Sequence, residues 1–150
     1  MVHKLVTWIA VADGAEARIF QNEGVGKGVF ELSDRALASP RLRNRDIMAD
    51  RPGRTFDRAG YGRHAMEPRT DPQEVAEHSF LRELVYWLAE QGQSGVFDRL
   101  VIIAEPRALG EIRRMMPKSL IEKLHGEISA DLTHATAAQI QQRLEGLMAA

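Results

Sequence analysis

Eight arginines fall within residues 41–69, namely Arg41, Arg43, Arg45, Arg51, Arg54, Arg58, Arg63 and Arg69, against four acids, Asp46, Asp50, Asp57 and Glu67. The segment carries a formal charge of +4, which leaves −5 on the rest of the chain to make the overall −1. Arginine has a planar guanidinium that makes two-pronged hydrogen bonds to phosphate or carboxylate and stacks on bases. Phe56 and Tyr61 are interleaved with these cations, His64 follows Arg63, and Gly53, Gly60 and Gly62 let the backbone approach a ligand closely. Arginine, aromatic and glycine together suit RNA, held by charge and base stacking. Two other readings compete with this one. The segment is an interface with a protein partner or a second copy of the chain, or it is a solvated loop in which Arg45 pairs with Asp46 and Arg58 with Asp57.

Residues that would carry catalysis are harder to assemble. His3, His64, His78, His125 and His134 contain no i, i+4 pair and no His-Glu-x-x-His arrangement for zinc. None of the serines stands in a Gly-x-Ser-x-Gly elbow. The chain has no cysteine, which excludes disulfides, thiol catalysis and Cys-ligated metal and suits a reducing cytoplasm. Asp13, Glu105 and Asp131, at expected strand ends, would make a metal-dependent nuclease or phosphoesterase if they converged on a divalent cation. Such acids more often cap turns and helices. The run Gly24-Val25-Gly26-Lys27-Gly28 has the composition of a phosphate loop but joins strand to strand, where such loops join strand to helix. The expectation is therefore a protein with no catalytic residues, cofactor or metal, acting by binding.

The elements that must position the basic segment follow from hydropathy. Residues 5–12 are apolar except for Thr7, as expected of a central strand buried on both faces. Asp13-Gly14 predicts a type I′ hairpin turn, with residues 15–20 returning antiparallel and a third strand at 29–32. Residues 38–70 show neither strand nor helix period and hold several prolines and glycines, which predicts an unusually long loop, of a kind that tends to be functional or disordered. Asp71-Pro72-Gln73-Glu74 then starts a helix, with Asp71 as N-cap and Glu74 completing a capping box. Leu81, Leu84, Val85 and Leu88 form its apolar stripe, and Gly92 and Gly95 mark its exit. A second buried strand is expected at 100–104, and a short helix through Leu109, Ile112 and Met116 that Pro117 interrupts. A helical turn at 120–124, an edge strand at 127–130, and a last helix capped by Thr136 and Gln139 with Ile140, Leu144 and Leu147 on one face complete the series.

This order predicts an α/β fold. A mixed sheet opens with an N-terminal β-hairpin, helices pack against it, and the core is built around Trp8, Ile9, Val101 and Ile103. At 150 residues one domain, 1–150, is expected. The N-terminal apolar run is too short for a membrane span and has no cleavage site, so neither export nor a membrane partner is expected.

With these residues laid out, the sequence closely resembles the bacterial host attachment protein family, named for a requirement in attachment to host cells. The match is carried by residues 8–20, by Gly53-Arg54-Thr55-Phe56-Asp57, by Gly62-Arg63-His64-Ala65-Met66-Glu67-Pro68, by residues 97–106 with Leu109-Gly110, and by Asp131-Leu132-Thr133. More distantly, the order of strand, Asp-Gly turn, strand, long basic loop, helix and strand is similar to the central domain of archaeal and eukaryotic peptide-release factors. That resemblance implies a ribonuclease H-like fold and a basic loop that enters the ribosomal peptidyl-transferase centre. The release motif of that domain is Gly-Gly-Gln. The nearest segment here is Gly60-Tyr61-Gly62-Arg63, and no glutamine lies between Asn22 and Pro72. What carries over is an expectation of docking on RNA or the ribosome, in the cytoplasm, with any effect on attachment to host cells being indirect. The alternative is a protein-partner or adhesion factor acting directly in attachment.

Overall fold

The computed structural model describes residues 4–39 and 71–150. Among these, the elements in chain order are strands β1 (Thr7–Ala12), β2 (Glu16–Asn22), β3 (Phe30–Glu31) and β4 (Leu37–Ala38), helix α1 (Pro72–Gln93), β5 (Arg99–Ala104), helices α2 (Pro106–Met115) and α3 (Lys118–Ile121), β6 (Leu124–Ser129) and α4 (Ala137–Leu144). The strands make one mixed sheet in the order β3-β2-β1-β5-β6, with β4 paired to the opposite end of β2 from β3.

β1 is the middle of this sheet because it has no polar face to give to water. Trp8, Ala10 and Ala12 enter one core with Leu100, Ile102 and Ala104, while Ile9 and Val11 enter a second with Val101 and Ile103. Each core needs its own cover. α1 supplies Leu81, Leu84, Val85 and Leu88 to the first, joined by Leu109 and Ile112 of α2 and Leu120 of α3, and α4 supplies Ile140 and Leu144 to the second. The two continuous apolar runs are thus adjacent strands, paired parallel from Thr7 opposite Arg99 to Ala12 opposite Ala104. Parallel pairs buried on both faces are the usual setting for such runs.

The structure departs from the sequence expectations at several boundaries, each for a local reason. β1 begins at Thr7 and not at Leu5, because the N–H of Val6 donates to the Asp98 carboxylate at 2.8 Å and its carbonyl accepts from Asp98 and Arg99. The Asp13-Gly14 turn is not type I′. Among the described residues no non-glycine has positive φ, nor does Gly14. Asp13 Oδ1 instead accepts the N–H groups of Ala15 and Glu16 at 2.8 and 2.9 Å, so a side chain closes the turn. The glycine serves close approach, since a Cβ at position 14 would lie 2.8 Å from Cγ of Glu77 on α1.

Asp71 caps α1 through the N–H of Gln73, but Glu74 turns to Arg107 at 2.9 Å and forms no capping box. Gly92 lies inside α1, and Gly95 alone ends it, with φ +79. The third strand shrinks to Phe30–Glu31, and Leu37–Ala38, just before and at the start of the expected loop, pairs with β2. The helical turn expected at 120–124 stops at Ile121, and the edge strand already begins at Leu124. Thr136 and Gln139 do form the capping box of α4, but the helix stops at Leu144, and Leu147 reaches the same core from the following turn.

Replacing Leu84 by Ala should cost roughly 2–5 kcal/mol in urea unfolding, because the side chain is deleted from a core closed on all sides. Tyr86, two residues further on, on the opposite side of the helix and 56% exposed, should tolerate Ala within about 0.5 kcal/mol.

Candidate functional site

The expected contact residues Arg41, Arg43, Arg45, Arg51, Arg54, Phe56, Arg58, Tyr61, Arg63, His64 and Arg69 lie outside the described residues. What is described is the frame from which they depart. Ser39 follows β4, and its N–H donates to Ala15 O at 2.8 Å, directly at the β1–β2 turn. On the other side of the segment Asp71 is the N-cap of α1, and Gln73 and Glu77 in the first turns of that helix face the same β1–β2 turn. Ser39 and the first turns of α1 therefore share one rim, beside the carboxyl end of β1.

That rim borders a cleft of about 360 Å³. Because β1 and β5 run parallel and in register, the residues just past them, Asp13 and Glu105, emerge side by side, and Asp131 arrives after β6. A crevice at the carboxyl ends of parallel strands is where α/β sheets generally bind ligands. Here the wall carries Asp13, Glu77, Glu105, Glu111 and Asp131 against Arg107. The three acids singled out in the sequence do line one cleft, yet each already has a structural hydrogen-bond partner. Asp13 closes its turn, Glu105 caps α2 through the N–H of Ala108 at 2.7 Å, and Asp131 Oδ1 lies 3.1 Å from the Thr133 hydroxyl. Glu77 accepts from Gln73 at 3.1 Å, and Glu111 faces His78 at 3.3 Å. Among the described residues no three His, Asp or Glu side chains are grouped to hold a metal ion. So acidic a wall repels a phosphate.

The described histidines disperse: His78 meets Glu111, His125 meets the carbonyl of Leu147, and His134 stands 4.0 Å from Glu16.

A residue the sequence reading passed over holds the loop that follows Asp131. Arg18, on β2, gives Nε and Nη2 to the two carboxylate oxygens of Glu31 at 2.9 and 2.8 Å. Its Nη1 donates to the carbonyls of Thr133 at 2.9 Å and Ala135 at 2.7 Å, and the guanidinium lies over the Phe20 ring. One side chain thereby joins β2 and β3 to the loop between β6 and α4. Its hydrogen bond to Glu31 raises the already high Arg18 pKa and lowers that of Glu31 below the ordinary carboxylate value. The local signal is slight, a charge flanked by the buried Ala17 and Ile19.

Among the described residues no helix is long and apolar enough to cross a membrane. A family model described as bacterial archaeo-eukaryotic release factor family 12 matches residues 6–144. No curated protein matches the chain. Of the solved structures, one described as an archaeal protein is similar over 95% of this chain and 34% of its own, at 11% identity and a TM-score of 0.50. Another, an archaeal translation termination factor, aRF1, is similar over 94% of this chain and 38% of its own, at 14% identity and a TM-score of 0.42. The chain thus spans little more than a third of either structure. The first of these likenesses bears on the fold alone, and agrees with the mixed α/β sheet.

The Arg18–Glu31 pair has a defined pH signature. A carboxyl whose pKa is depressed by folding contributes stability that is present above its unfolded value, near 4.3 for glutamate, and lost as pH falls through the folded value. Glu31→Gln should therefore lower stability by about 1 kcal/mol at neutral pH, and the gap to the parent should close as pH drops below about 4. Denaturant unfolding of both proteins across that range reads it directly.

Proposed function

Because the chain belongs to bacterial archaeo-eukaryotic release factor family 12, we propose that it is a binding protein with no enzymatic step of its own, engaging structured RNA, and the ribosome first, through residues 41–69. The observation that carries this is the separation of charge. Eight arginines with Phe56 and Tyr61 fall in one segment, and the described residues on either side of it, Ser39 and the first turns of α1, lie at a rim whose carboxylates are already committed to caps and turns. A polyanion is attracted to the charge of that segment and repelled by the acidic cleft wall. We read the chain as one domain, 1–150, working in the cytoplasm, where ribosomes are. Lacking Gly-Gly-Gln, it is a docking member of its family and does not release peptides. The attachment phenotype of the resembled family fits downstream of such binding, as an indirect effect through gene expression.

Turnover of generic phosphodiesters and esters should be absent with or without magnesium, manganese or zinc. A rate that vanishes in folded Asp13→Asn or Asp131→Asn would instead make the cleft a nuclease-like centre.

Sedimentation of the tagged protein with ribosomes should show binding that weakens steeply with salt, as each arginine neutralising a phosphate releases condensed counterions. Replacing Arg54, Arg58 and Arg63 together by Ala should lower the slope of log affinity against log salt by about 2–3. Phe56→Ala or Tyr61→Ala should each cost about 1–3 kcal/mol if a base stacks there. Arg143, exposed on α4, is the control. Arg18 is not, since its loss would cut the ties just described. Unchanged binding by the folded triple variant would transfer the segment to a protein partner or a second copy.

A further inference from the structure

The glycine run at residues 24–28 is left unexplained by RNA binding, and it lies at the other end of the sheet. Asn22, which opens the run, pairs with Thr7 at the start of β1, whereas the acidic cleft lies past the end of that strand. Although the run joins strand to strand, it presents backbone donors as a phosphate loop does. The N–H groups of Gly26 and Gly28 converge on a single oxygen of Ala150, at 3.0 and 3.3 Å.

Three glycines make this possible: Gly24, Gly26 and Gly28 have φ of 138, 82 and 74°, a region that side-chain-bearing residues avoid. The shape is held without the tail. Asn22, 1% exposed, donates to the carbonyls of Gly24 at 3.0 Å and Gly28 at 2.7 Å and accepts from the N–H of Gly24 at 3.1 Å. Gln141 Oε1 accepts from Val29 at 3.2 Å. Every one of these bonds would remain if Ala150 withdrew, leaving two aligned donors. The tail that occupies them itself borders open space, because Gln141 and residues 145–150 line a cleft of about 530 Å³.

From this geometry we infer that the turn at residues 24–28 is an oxyanion-binding nest of backbone amides, occupied by the Ala150 oxygen and open to a carboxylate or phosphate that displaces it. Successive backbone N–H groups in such turns form anion-binding concavities, and peptide carboxylates are captured in them. Lys27 within the turn favours an anion, while the carboxylate of Glu145 on the cleft wall disfavours one.

The test uses the isotope-labelled full chain, titrated at constant ionic strength with inorganic phosphate, with acetate and with chloride as the control. Phosphate or acetate, but not chloride, should move the amide resonances of Gly26 and Gly28 and those of Leu147, Met148, Ala149 and Ala150 with one common midpoint. The stronger of the two anions identifies the natural ligand as phosphate or carboxylate. Asn22→Ala should weaken the midpoint by about tenfold, through loss of the bonds that align the donors. Gly26→Ala, which meets no neighbour but is strained by its φ, should do the same should Asn22→Ala fail to fold. No saturable shift, a shift of the glycines without the tail, or unchanged midpoints in the folded variants would each overturn the assignment. None of these results bears on residues 41–69, so this inference and the RNA reading fail independently.

Discussion

Six consecutive residues of β1, Thr7–Ala12, are all buried, and their backbone amides and carbonyls must be satisfied away from water. The strand solves this by pairing along both edges, antiparallel to β2 and parallel to β5. Most of the architecture follows from that requirement. A strand buried on both faces requires two covering layers, so α1 with α2 and α3 must lie on one side and α4 on the other. A parallel neighbour requires a long connection, because β5 can run beside β1 only after the chain has crossed back from the far end of the sheet. The hairpin, the basic segment and α1 are together that connection.

The same parallel pairing determines the chemistry of the carboxyl end. Strands in register finish level with one another, so the residues that turn the chain finish level too, and in this sequence those residues are acids. Asp13 and Glu105 are brought together because each must stop a strand and accept N–H groups from the turn or helix that succeeds it. Their convergence has the outline of a catalytic centre and the hydrogen-bond pattern of structural caps. Arg18 then fastens the loop after β6, which follows Asp131, to β2.

Much of this was legible in the sequence where one physical signal dominated. The two apolar runs could only be central strands, the stripe Leu81, Leu84, Val85 and Leu88 could only face a sheet, and Thr136 with Gln139 announced the cap of α4. Misreadings arose where a tertiary contact competed with a local rule. Asp-Gly implied positive φ until the Asp13 carboxylate took over the turn bond, and Glu74 fitted a capping box until Arg107 offered a partner. Leu124 looked helical because the β5 edge that recruits it is invisible in a local window. Arg18 was overlooked because its partners Thr133 and Ala135 lie more than a hundred positions away. The glycine run was discounted by its neighbours in sequence, whereas what it binds comes from the last residue.

The arrangement of the aromatic side chains bears on how this protein can be watched. Its two tryptophans, Trp8 and Trp87, stack at 5.5 Å between ring centroids, with Phe97 at 5.0 Å from Trp8 and the guanidinium of Arg35 above it. All of them belong to the layer between the sheet and α1, and the layer beneath α4 contains no indole. Intrinsic fluorescence is therefore a one-sided reporter. It responds to the seating of the long helix and is blind to the detachment of the short one, so a melting curve recorded in that light alone describes half of the molecule.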